Sequence, residues 1–154
     1  MKEPLFRRAK ADDVDEMHKL LREHGPNEWN YLPEEGVNAE LRDVADGKAV
    51  SILAELGRYI VGIAIAYPGF IRFPEYTKPG NPTEAVGYIG DIVVHKEHSG
   101  KGIGTVLVEE VKAALFKHGV FEIYIDCHEE NMASRGMIRK AGFEELAVYF
   151  DPDR

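Results

Sequence analysis

The chain holds a single cysteine, Cys127, in 154 residues. An intrachain disulfide is therefore excluded, and a reducing cytoplasm is the expected setting. Long apolar runs are missing too. No segment approaches the roughly 18 consecutive apolar residues of a membrane helix, so no membrane partner is expected. The opening residues Met1-Lys2-Glu3-Pro4-Leu5 carry no apolar stretch before a small-residue cleavage site, so no secretion signal is expected. Positive charge is in short supply, with 19 Lys and Arg against 27 Asp and Glu and a formal net charge of -8. A field of that sign repels phosphate backbones, which argues against nucleic acid and favours cationic partners. Internal repeats, low-complexity tracts and linkers are absent, and the length suits one domain over residues 1–154.

What is present is enough apolar material, 44% of the residues, for a real core. Leu5 to Lys10 reads as a short strand. Asp12 and Asp13 supply a cap and first-turn charge for a helix whose apolar residues Val14, Met17, Leu20 and Leu21 recur at helical spacing. Gly25-Pro26 ends it. A second helix is expected over Val37–Ala45. Strand-like runs follow at Ala49–Leu56, Tyr59–Tyr67 and Ala85–Val94, with a Pro- and Gly-rich loop from Tyr67 to Pro82 before the last of them. Short connections make this part an antiparallel meander. The order then switches to a helix at Gly102–His118, a strand at Val120–Cys127, a helix at Asn131–Ala141 closed by Gly142, and a strand at Phe143–Phe150. A strand-helix-strand unit at this spacing implies a parallel crossover. The expected fold class is α/β, a mixed sheet flanked by helices.

The segment richest in chemistry joins a strand to a helix through Ser99-Gly100-Lys101-Gly102-Ile103-Gly104-Thr105. Glycine opens backbone angles closed to other residues, and a helix start offers unpaired N–H groups with a partial positive charge. Together these suit a pyrophosphate. The spacing fits neither the nucleotide P-loop nor the Gly-x-Gly-x-x-Gly dinucleotide fingerprint.

The run Asp91-Ile92-Val93-Val94 followed by Gly100-Lys101-Gly102-Ile103-Gly104 resembles motif A of the GNAT family of N-acetyltransferases. Gly102 and Gly104 stand at its two small positions. Asn131 and the downstream Arg139-Lys140-Ala141-Gly142-Phe143 resemble motif B. The resemblance implies acetyl-CoA as cosubstrate and no metal. It implies that the backbone of Ile92, Val93 and Val94 pairs with pantetheine as an added strand. The amides from Gly100 to Thr105, through Lys101, Gly102, Ile103 and Gly104, would hold the pyrophosphate, and Asn131 would meet the pantetheine arm. Two positions depart from the pattern. Ser99 replaces the usual Gln or Arg, and Ile138 replaces the motif B tyrosine that can protonate the leaving thiolate.

Transfer to an amine needs a neutral amine, in-line approach and donors for the oxyanion. Asp126 is the leading base candidate, sharing a strand face with Glu122 and Tyr124 by period-two alternation. Asp91 is the alternative base. Tyr149 and Tyr124 are candidates for the missing acid, or the thiolate leaves unassisted. Cys127 has no Cys-His-acid setting that would make it a nucleophile. Trp29, Tyr31 and Leu32, with Phe70, Phe73 and Tyr76 on the Pro-rich loop, either line an acceptor pocket or anchor their loops. The expected activity is direct acetyl transfer to a primary amine, with a small molecule favoured over a protein. A non-catalytic acyl-CoA sensor is the alternative. The short chain after motif B leaves room for one strand beside Val120–Cys127, or for a homodimer that completes the sheet edge.

Overall fold

Apolar residues of alternating phase build one sheet with a helical layer on each face. The computed structural model describes residues 3–26, 33–128 and 130–146. Strand β1 (Leu5–Arg8) leads to helices α1 (Val14–His24) and α2 (Glu34–Ala45). Strands β2 (Val50–Leu56), β3 (Tyr59–Pro68) and β4 (Val86–Val94) follow. Helix α3 (Ile103–Lys117), strand β5 (Glu122–Ile125) and helix α4 (Met132–Lys140) complete the described elements. The strand order is β1-β2-β3-β4-β5, antiparallel as far as β4 and parallel between β4 and β5. This is the expected mixed sheet. The expected strand at Phe143–Phe150 is corrected in part: residues 143–146 are not strand, and 147–150 lie outside the described residues. The turn closed by Gly142, with Gly142 N bonded to Arg139 O at 3.0 Å, leads the chain off α4 without re-entering the sheet over those four residues.

Period-two alternation sends Ile52, Ala54, Ala64 and Ala66 to one face, where they pack with Ile103, Leu107, Val111 and Leu115 of α3. Leu53, Ile63 and Ile65 go to the other face, against Met17, Leu20 and Leu21 of α1 and Val37, Leu41 and Val44 of α2. The residues at the centre of both clusters are buried. They hold α3 and α2 on opposite sides of β4, the strand that carries the site. No helix of the described residues is long and apolar enough to cross a membrane.

One ion cluster locks the N-terminal strand to the body. Arg7 donates to both carboxylate oxygens of Asp13, at 2.9 and 2.8 Å, and to Glu55 at 3.2 and 3.0 Å. Asp13 also accepts from the Lys10 backbone N–H at 2.7 Å. The Arg7 hydrogen bond therefore holds the Asp13 carboxyl below its ordinary range, despite opposition from burial. A depressed folded pKa contributes stability that is fully present above the unfolded value, about 3.9, and is lost as pH falls through the folded one. Asp13→Asn is expected to cost about 1–3 kcal/mol at pH 7, read from urea unfolding. The gap to wild type should close only below the ordinary carboxylate range. A gap that persists unchanged in acid would assign the loss to packing instead.

Candidate functional site

The glycine loop is built by three local devices. A 3-10 turn over Lys96–His98 ends β4's run, with Glu97 N donating to His95 Nδ1 at 3.1 Å. Gly100 and Gly102 then take positive φ, 76° and 82°, and Gly102 forms the N-cap of α3. The first helical hydrogen bond runs from Val106 N to Gly102 O at 3.2 Å, so the amides of Ile103, Gly104 and Thr105 precede the ladder. A Cβ on Gly102 would meet nothing within 4 Å, so the space beside this residue is open. Gly104 has a different reason to be glycine. Its Cβ would lie 2.7 Å from Met137 Sδ, so it lets α4 close on α3. Ser99 Oγ donates to Lys96 O at 2.9 Å, which commits its hydroxyl to the turn.

Beside this loop the sheet opens. Pairing of β4 with β5 runs from Val86 opposite Glu122 to Ile89 opposite Ile125 and stops there. Pairing of β4 with β3 continues to Val94 opposite Gly62. Between Asp91 opposite Ile65 and Ile89 opposite Ala66, Gly90 is one residue too many on β4. This is a β-bulge, which bends its strand and ends ladders. The outer edge of Ile92–Val94 therefore faces a slot instead of a strand. A slot edged by strand amides and closed by a helix N-terminus fits an extended amide chain ending in a pyrophosphate, which is the chemistry of coenzyme A. Asn131 is buried and caps α4, its Oδ1 accepting from Ser134 N at 3.1 Å.

The sheet face toward α1 and α2 carries acids among rings. Tyr88, two residues before the bulge, donates its hydroxyl to Asp126 at 2.5 Å. Asp126 lies just beyond β5, where pairing with β4 has ended. Phe73 meets Tyr88 edge-to-face and Tyr124 at a tilt, with centroids 6.1 and 5.9 Å apart, and Phe70 bridges Tyr88 to Tyr67 at 6.0 and 5.8 Å. Tyr67 donates to Glu40 of α2 at 3.4 Å. Burial raises the Tyr67 phenol pKa, and the negative charge of Glu40, Asp43 and Asp91 raises it further. Asp91, opposite Ile65 in the register, is on this face with Glu40, and Asp126 with Tyr88.

The other candidates divide. Tyr124 donates to Glu122 at 2.5 Å and lies 2.7 Å from the Tyr76 carbonyl. Burial and Glu122 push its phenol up to about 12, which makes it a poor acid. Burial and the Asp126 charge push the Cys127 thiol up, away from a nucleophilic thiolate. Tyr149, Trp29, Tyr31 and Leu32 lie outside the described residues. Sequence reasoning missed Tyr88, Glu40 and the bulge. An isolated glycine inside a strand pattern, here Gly90, is a bulge signal. Tyr88 and Glu40 have no such mark.

The family model for the Acetyltransferase (GNAT) family matches residues 14–143. The chain belongs to the GNAT acetyltransferase family. Among curated GNAT relatives, the aminoglycoside N(6')-acetyltransferase type 1 of Acinetobacter haemolyticus is 26% identical over 152 residues, covering 97% of this chain and 86% of that one. The glucosamine 6-phosphate N-acetyltransferase 1 of Dictyostelium discoideum is 37% identical over 62 residues, 40% of this chain and 38% of that one. Among solved GNAT structures, AAC(6')-Iy in complex with a CoA-S-monomethyl-acetylneamine bisubstrate analogue has a TM-score of 0.79 at 19% identity, covering 99% of each chain. At that identity the likeness is one of fold. This GNAT enzyme is an N-acetyltransferase that moves the acetyl group of acetyl-CoA to an amine.

Proposed function

We propose that the acceptor is a small cationic amine carrying more than one amino group, of the aminosugar kind, acetylated by direct transfer in a reducing cytoplasm by one domain over residues 1–154. The observation that carries this reading is the ring-lined face on which Tyr67 meets Glu40, Tyr88 meets Asp126 and Asp91 lies opposite Ile65. Negative charge with aromatic walls attracts an alkylammonium and lets one carboxylate take its proton. The relatives named for aminoglycosides point the same way.

In this reading the amides from Gly100 to Thr105 hold the pyrophosphate, Ile92–Val94 orient the pantetheine arm, and Asn131 fixes it from α4. Bound acetyl-CoA would supply an activated thioester. Asp126, oriented by the Tyr88 hydroxyl, removes the ammonium proton, and Asp91 is the alternate base on the same face. Ile138 donates no proton, and Tyr124 is committed to Glu122, so the thiolate leaves without either. The ordinary thiol pKa of about 8.5 makes that departure feasible near neutral pH. A homodimer belongs to the same proposal. Among the described residues no strand pairs with the outer edge of β5, the place where a second copy would add.

An amine panel tests the acceptor. Turnover is expected with multiply charged aminosugars, and little with a phosphorylated aminosugar or a lysine peptide. Preference for the phosphorylated sugar would overturn the reading, because that anion meets this face with like charge.

A further inference from the structure

The Pro-rich loop between β3 and β4 bears Phe70, Phe73 and Tyr76, yet it makes no regular pairing of its own. It is held at its ends by Phe70 N donating to Val86 O at 3.1 Å and by the turn in which Ala85 N donates to Pro82 O at 2.9 Å. Between them run tight turns, Tyr76 N to Phe73 O at 3.1 Å and Asn81 N to Lys78 O at 3.4 Å. Such a segment has a large ordering entropy unless something fastens its middle.

Glu122 is that fastening. Its Oε2 accepts from Lys78 N at 3.1 Å and from the Tyr124 hydroxyl at 2.5 Å, and its Oε1 accepts from Asn81 Nδ2 at 2.6 Å. Tyr124 in turn lies 2.7 Å from Tyr76 O. Burial pushes the carboxyl up, but the bonds from Tyr124, Asn81 and Lys78 outweigh it and hold the pKa below the ordinary value. Both oxygens are committed to loop donors, so Glu122 is not arranged as a base. The loop it fastens reaches the acidic face through its rings. Phe73 packs on Tyr88, whose hydroxyl holds Asp126, and Phe70 packs on Tyr67, whose hydroxyl meets Glu40.

We infer that Glu122 is a positioning residue for the acceptor: it pins the loop over β4 and β5 so that the aromatic wall of the amine site is in place before the amine arrives. The inference rests on the acceptor reading above. A wall already in place spares the amine the entropy of ordering it, so loss of the pin weakens acceptor binding and leaves the acetyl-CoA slot alone. Glu122→Gln removes the charge and turns one of the two acceptor oxygens into a donor, so the charge-assisted bonds that hold the loop are weakened.

Steady-state kinetics and hydrogen exchange of the same protein test this. Glu122→Gln is expected to raise the KM for the best aminosugar about tenfold, with kcat lowered far less and the KM for acetyl-CoA within twofold. Exchange should speed up at the Lys78 amide and over residues 76–81. Asn81→Ala removes one donor and should move both readouts the same way by less. Unchanged exchange in Glu122→Gln would overturn the pin. Faster exchange with an unchanged acceptor KM would overturn its role in the acceptor site. Equal rises in both KM values, with a lower Tm, would make Glu122 a general stabiliser and also sink the proposal. A wild type active only on phosphorylated or peptide amines would instead remove the acceptor reading, and the inference with it.

Discussion

Gly102→Val is expected to abolish measurable coenzyme A binding while the protein stays folded. Two effects add at this position. Valine is strained at φ 82°, where an L side chain meets its own backbone, at a cost of about 1–3 kcal/mol. Its branched side chain also projects into space that the fold leaves open, directly before the amides that open α3. Strain alone weakens the fold. Blocked approach removes the pyrophosphate's hydrogen bonds, and a loss of at least roughly a hundredfold in Kd, about 2.7 kcal/mol, is expected. Gly119 supplies the control, with φ 85° and equally open surroundings at the far end of α3. Gly119→Val should lose comparable stability and keep the affinity. Calorimetry showing equal affinities for the two variants would contradict the loop as the pyrophosphate cradle.

Asp126→Asn is expected to lower turnover by roughly a hundredfold, toward the low end of the usual range for a lost acid–base group. The deficit should be largest at low pH, where the acceptor is most protonated and depends most on a base. Coenzyme A affinity should hardly move, because Asp126 lies beyond β5 on the proposed acceptor side, where the Tyr88 hydroxyl donates to it. A pH–rate profile over both proteins separates the outcomes. Wild-type turnover at every pH would dismiss Asp126 and leave Asp91 or an ordered water as base. Acetylated Cys127 trapped by mass spectrometry would refute direct transfer, against the raised thiol pKa.

The element order was legible because each element carries a local signal. Val14, Met17, Leu20 and Leu21 mark one helix stripe, and the alternation of Leu53, Ala54 and their neighbours marks a two-sided strand. The glycine loop was legible because only glycine takes the positive φ of residues 100 and 102. The proposed acceptor face was not, because it depends on which residues meet across the sheet. Glu40 comes from α2, Tyr88 from β4, Phe73 from a loop and Asp126 from beyond β5. No spacing in the chain encodes that convergence. The loop aromatics show the same limit. Composition left lining and anchoring open, and the carboxylate bonded to the loop is Glu122, 41 positions from Asn81. Gly104 shows how a correct motif can hide a second cause. It reads as part of the cradle, and its contact is with Met137.

The bulge at Gly90 has a consequence for how function is written into this chain. On either side of it the strand is out of phase by one, so Ile89 and Ile92, three residues apart, pack into the same cluster while Val93 joins the opposite one. Gly90 and Asp91 together count as a single step of the pleat. Removing Gly90 would keep every other residue on its face and yet straighten β4, letting it zip onto β5 past Ile125. The slot and an unbroken ladder are alternatives, separated by one unit of chain length. With the slot read as the pantetheine site, activity is exposed to a kind of genetic change that substitution scans never sample, the loss of a codon that encodes no reactive group.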